Sequence, residues 1–157
     1  MIDFNNVSEI SLIPANTIVK AHLVLRPGDS SDNHYIKMSK NGGSYLDCEF
    51  IVLEGEYAKR KIFHKIGITG NEKWVAMSTR FAKNLLESAN GLSRFDKSPQ
   101  AEKIRQISDW ADLDGLEVVL KIGIESGGEF QDKNKILSVI TAENPAYKQI
   151  QTMSVPW

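Results

Sequence analysis

Three runs in which apolar and polar residues alternate, then a helical block, then two further alternating runs predict a mainly β fold with a helical insertion. Strands that do not alternate with helices argue against a parallel α/β fold, and they are too few for two full sheets. A five-stranded Greek-key barrel with the helical block between strands three and four fits this order.

The first run, residues 17–26, sets Val19, Ala21, Leu23 and Leu25 on one face and Lys20, His22, Val24 and Arg26 on the other. Pro27 to Asn33 is the densest cluster of turn formers in the chain. Residues 34–39 are expected to re-enter extended structure briefly before Lys40-Asn41-Gly42-Gly43 breaks it. In residues 45–53, Leu46, Cys48, Phe50 and Val52 read as core, with Tyr45, Asp47, Glu49 and Ile51 outward. A turn through Glu54-Gly55-Glu56 leads to residues 61–68, where Ile62, His64, Ile66 and Ile68 oppose Lys61, Phe63 and Lys65.

The period then lengthens. Val75, Phe81, Leu85 and Leu86 fall at helical spacing within residues 74–89, and Gly91 is the expected stop. Ser98 and Pro99 suit the cap and first position of a second helix running through Ile104 and Ile107, with Trp110 and Leu113 extending it. Strand character returns at 117–125 and 133–141, and the chain after Asn144-Pro145 reads as irregular. The whole corresponds to one OB-fold-like (oligonucleotide-binding) domain over residues 1–147 and a tail over 148–157.

Hydrophobic content of 41% and charged content of 25% are ordinary for a water-soluble domain. The net charge is −1, so any phosphate-binding surface must gather its cations on one face. No apolar run approaches the roughly 20 residues that cross a bilayer, and the N-terminus lacks the basic and apolar blocks of a secretory signal. The single cysteine, Cys48, suits a reducing compartment, and the cytoplasm is the expected location.

Signatures of catalysis are missing from the sequence: there is no phosphate-cradling P-loop and no nucleophile elbow. His22, His34, His64 and Cys48 do not fall at zinc-like spacing. His64 and Cys48 read as packing residues, and the pairs Asp47/Glu49 and Glu54/Glu56 as solvated carboxylates. No enzyme and no cofactor are expected.

The segment 57–65 combines aromatic rings with cations, the composition that single-stranded nucleic acid requires. Its outward face presents Lys61, Phe63 and Lys65 together. A ring exposed between lysines gains nothing from water; the competing reading packs Phe63 under a loop or the helical block. Tyr45 and Tyr35 are further candidates for the same platform, with Lys20, Arg26, Lys37, Lys40, Arg60 and Lys121 bordering it. Trp74, Phe81 and Trp110, among apolar neighbours at helical spacing, read as core. Trp157, in a Val-Pro-Trp end, reads equally as a partner-docking peptide and as a disordered terminus.

Tyr45, Leu46, Phe50, Val52, Gly55, Tyr57, Arg60 and Phe63 stand at a spacing that resembles small phage and prophage proteins. Lys133-Asn134-Lys135-Ile136 and Asn144-Pro145-Ala146-Tyr147 are also similar. Those proteins are described as phage single-stranded DNA-binding proteins or as an overlapping family of unknown function found beside recombination genes. The resemblance implies a barrel with stacking aromatics, no catalysis, and a role with single-stranded DNA in replication or recombination in the host cytoplasm. Replication or recombination proteins would be its partners. The tail departs from the pattern: it ends in Pro156-Trp157 and is not acidic. A non-DNA adaptor module on the same barrel is the alternative, and the helical block either lies against the sheet or projects into a homodimer contact.

Overall fold

The computed structural model describes residues 1–5, 11–28 and 35–153. Strands β1 (Thr17–Leu25), β2 (Ile36–Met38), β3 (Ser44–Val52) and β4 (Lys61–Thr69) precede helices α1 (Glu72–Ala89) and α2 (Pro99–Ile104). A 3₁₀ turn (Trp110–Leu113), β5 (Glu117–Glu125), β6 (Lys133–Ile140) and α3 (Pro145–Met153) follow.

All six strands join one antiparallel sheet. β3 is its hub. One edge pairs with β1 at Cys48–Val52 and with β2 at Ser44–Leu46, while the other pairs with β4 along Ser44–Ile51. β1 continues to β5, and β5 to β6. Successive antiparallel pairings leave β4 and β6 as free edges that run in the same direction. No ladder joins them among the described residues, so the sheet is open where a closed barrel was expected. The expected strand count of five also changes to six, because the brief extended segment pairs with β3 through Ile36, Lys37 and Met38. His34 lies outside the described residues.

Alternation determines which side is buried. Val19, Ala21, Leu23 and Leu25 from β1 and Leu46, Cys48, Phe50 and Val52 from β3 are buried in the main core. Each Val, Leu and Phe among them contributes roughly 1.5–3 kcal/mol on leaving water. α1 covers this core with Ala82, Leu85 and Leu86 and packs against β4, β5 and β6. The Asn71 side chain caps α1 by accepting from the Lys73 and Trp74 amides, and Ser98 caps α2 ahead of Pro99. α2 stops at Ile104 and the 3₁₀ turn is separate, so the expected continuous second helix is broken in two.

The segment after Asn144 is not irregular, and the boundary expected at 148 falls inside α3. Asn144-Pro145 starts a helix: the Asn144 carboxamide accepts from the Ala146 amide, and proline sits where no donor is needed. Tyr147 packs with Val119 and Ile140 in a second apolar cluster, and its hydroxyl donates to the Ser88 carbonyl at 2.7 Å.

Two polar arrangements sit inside this frame. Glu87 on α1 is fully buried, and its Oε2 accepts from Arg105 Nε at 2.7 Å, with Lys83 Nζ at 3.6 Å. Glu87 Oε1 has no hydrogen-bond partner among the described residues. His64 stacks on Phe81 with ring centroids 4.1 Å apart, and burial pushes its pKa below the usual 6.5.

Removing one partner of a buried ion pair leaves the other charge uncompensated. Arg105→Ala is therefore expected to lower the unfolding free energy by about 3 kcal/mol, read from urea unfolding at neutral pH. The unfolded His64 imidazole takes up a proton near its ordinary pKa, and the folded one only at lower pH. Acidification through and below that ordinary value thus favours the unfolded chain. Melting temperatures from about pH 7.5 to about pH 5.5 should fall less for His64→Phe than for the parent; equal slopes would show that His64 carries none of the acid sensitivity.

Candidate functional site

The outward face of β3 and β4 follows from their register, which sets Tyr45 opposite Gly67, Asp47 opposite Lys65, Glu49 opposite Phe63 and Ile51 opposite Lys61. Directly paired residues in a ladder share a face. Phe63 projects from its centre and is 52% exposed. The Arg26 guanidinium lies 5.7 Å from the Phe63 centroid, and Lys65 Nζ lies 4.9 Å from that of Tyr45. Both rings therefore carry a cation, held by the negative π face.

Two carboxylates are set among these cations. Asp47 takes Lys37 at 3.2 Å and Arg26 at 4.0 Å, and Glu49 takes Lys61 at 3.1 Å. Both acids are mostly covered, with 17% and 16% of their side chains exposed. The face is thus compensated internally: three of its cations already have anionic partners. The Cys48 thiol lies on the core side, and burial, with the Asp47 charge beside it, pushes its pKa up to about 12. It is an unreactive packing group. No group of three metal-ligating side chains gathers among the described residues.

Phe63, Lys61, Lys65, Tyr45, Lys37 and Arg26 are brought together. The other expected residues are not all on this face. Arg60 precedes β4 and lines a hollow beside Phe63. Lys40 is exposed in the turn between β2 and β3. Tyr35 packs, partly buried, against the main core. Lys20 pairs with Val119 and Lys121 with Ile18, which places both beside the residues under α3 and away from Phe63. Trp157 lies outside the described residues.

Sequence reasoning missed what stands beyond the free edge of β4. Two hollows of about 350 and 450 Å³ lie between β4 and β6 and share Phe63, Glu125, Lys133 and Lys135 as walls. Trp74 lines the larger one and is half-buried rather than enclosed in the core. Its indole rests on Gly67, where an added Cβ would approach the ring to 2.7 Å, so this contact requires glycine. A glycine within an isoleucine-rich strand was the signal for a close approach. Lys133 and Lys135, two apart on a strand, were legible as sharing a face, but the strand they would meet was not.

No protein-family model matches this chain, and the curated proteins include no significant match to it.

Proposed function

We propose that the outer face of β3 and β4 binds single-stranded DNA by stacking bases on Phe63 and Tyr45 and pairing phosphates with the cations around them. The observation that carries this reading is the exposed Phe63 ring bordered by Arg26, Lys61 and Lys65. A ring left in water among cations has a use where planar, anionic polymers are the ligand. Stacking tolerates every base, so the binding is sequence-tolerant and needs no catalytic group. A binder is expected to expose Phe63 and at least one tyrosine among lysines, and an adaptor to bury them; Phe63 is exposed, and Tyr45 is half-buried beside Lys65.

Within this reading the sheet is an OB-type barrel left open at one seam. The pairings β1–β3, β3–β4, β1–β5 and β5–β6, with two free edges that run the same way, support it. The spacing shared with small phage proteins across residues 45–63 supports a phage-type replication or recombination role in the host cytoplasm.

Labelled oligo(dT) of about 30 nucleotides should bind with salt-sensitive anisotropy, more tightly than a duplex of equal length. Phe63→Ala is expected to weaken that binding about tenfold while leaving the melting temperature near the parent value. Absence of binding by the parent at low salt would sink this reading.

Asp47→Asn gives an effect of opposite sign. It frees Lys37 and Arg26 from a carboxylate that competes with phosphate, so affinity is expected to rise about threefold to fivefold, with a steeper salt dependence. Weaker binding by this variant would mean that Asp47 serves to orient the two cations rather than to compete for them.

A further inference from the structure

Besides Lys65 on the stacking face, the cations that phosphate reaches at least cost lie across the seam from Phe63. On that face Asp47 and Glu49 already hold Arg26, Lys37 and Lys61. Across the seam, the one ion pair of Lys133 among the described residues is with Glu125 at 3.6 Å, with 73% and 50% of the two side chains exposed, a pairing that water and salt readily dissolve. Lys135 is exposed and has no ion pair among the described residues. The hollow between these lysines and Phe63 also has a second flat ring in its wall, the half-buried Trp74 indole braced on Gly67.

We infer that a DNA strand bound on the β3–β4 face crosses the free edge of β4 and enters the seam, where Lys133 and Lys135 take phosphates and Trp74 receives a base. This rests on the single-strand reading above and adds to it a direction of travel and a second set of contacts. A hollow of about 450 Å³ lies within the roughly 300–1,000 Å³ of small-molecule sites, large enough for one nucleobase. The two free edges and the lysines also suit an acidic peptide adding as a strand. The aromatic wall, contiguous with the exposed Phe63, favours a nucleic acid, whose bases stack on such rings, over an acidic peptide, whose carboxylates gain nothing from a negative π face.

The test uses the full chain carrying Trp110→Phe and Trp157→Phe, so that Trp74 is the sole indole, with oligo(dT) of about 5 and about 15 nucleotides. The longer strand should quench Trp74 and the shorter should quench it little. In the parent background, Lys133→Ala/Lys135→Ala should lower the salt slope for the longer strand by about 1.4, at roughly 0.7 per phosphate on a single strand, and leave the shorter one unchanged. Equal slopes for parent and double variant, or no quenching by the longer strand, would overturn the seam path. If Phe63→Ala still weakens binding in that case, the face reading stands alone. If the parent binds neither strand, both fall. Quenching of Trp74 by an oligoglutamate peptide but not by oligo(dT) would overturn the inference in favour of an acidic peptide.

Discussion

Two serines of α1 tie the helix to the sheet. Ser78 Oγ accepts from the Gly67 amide on β4 at 2.8 Å, and Ser88 Oγ accepts from the Val119 amide on β5 at 2.9 Å. Both amides are buried donors that would cost free energy if left without partners. The Gly67 bond matters most, because it occupies a strand amide with a helix hydroxyl where a neighbouring strand would otherwise bond. α1 thereby fastens to β4 at one end and to β5 at the other, beside the gap between β4 and β6. Trp74, one turn before Ser78, is carried onto Gly67 by the same helix. The seam and its aromatic wall are consequences of where this helix is tied.

The electrostatics follow from a mixed rather than a uniformly basic surface. A chain of net charge −1 cannot rely on long-range attraction, so the local arrangement of charges decides what the face can hold. Asp47 and Glu49 keep Arg26, Lys37 and Lys61 in place before any ligand arrives, which lowers the ordering cost of binding. The same pairs must loosen when phosphates approach, which lowers the gain. Lys133 and Lys135 have no such arrangement. In the proposed reading, the two sides of the seam divide the work between ordered cations beside the rings and loosely held ones beyond them.

Much of the fold was legible in the sequence wherever burial alone dictated the pattern. β1 and β3 alternate because one face of each lines the main core; β5 is buried on both faces at Val118–Leu120, yet the bounds read for it match those observed. Failures came where a local signal had two physical meanings. Asn144-Pro145 can end a segment or begin a helix, and only the docking of Tyr147 against Val119 and Ile140 decides for the helix. Three residues of β2 are too few to show a period, and they count as a strand only through β3. The burial of Glu87 has no local signal, since its counter-ion, Arg105, is brought back by the chain reversal after α1. In the site, Phe63 stood out because its strand neighbours are lysines. Lys20 and Lys121 have the same outward parity on their strands, yet the topology places them beside α3.

Arg26 links the two kinds of contact the face offers. It leaves the end of β1, covers the Phe63 ring at 5.7 Å and reaches toward Asp47 at 4.0 Å. In the proposed reading, a base that stacks on Phe63 must displace the guanidinium from the ring. The displaced charge then has the Asp47 carboxylate on one side and the phosphate of the incoming nucleotide on the other. A guanidinium presents its donors in a planar fork that suits either oxygen pair, which a lysine at this position would not reproduce. Stacking and phosphate pairing are then one event rather than two independent ones, because the side chain that leaves the ring is the one that meets the backbone.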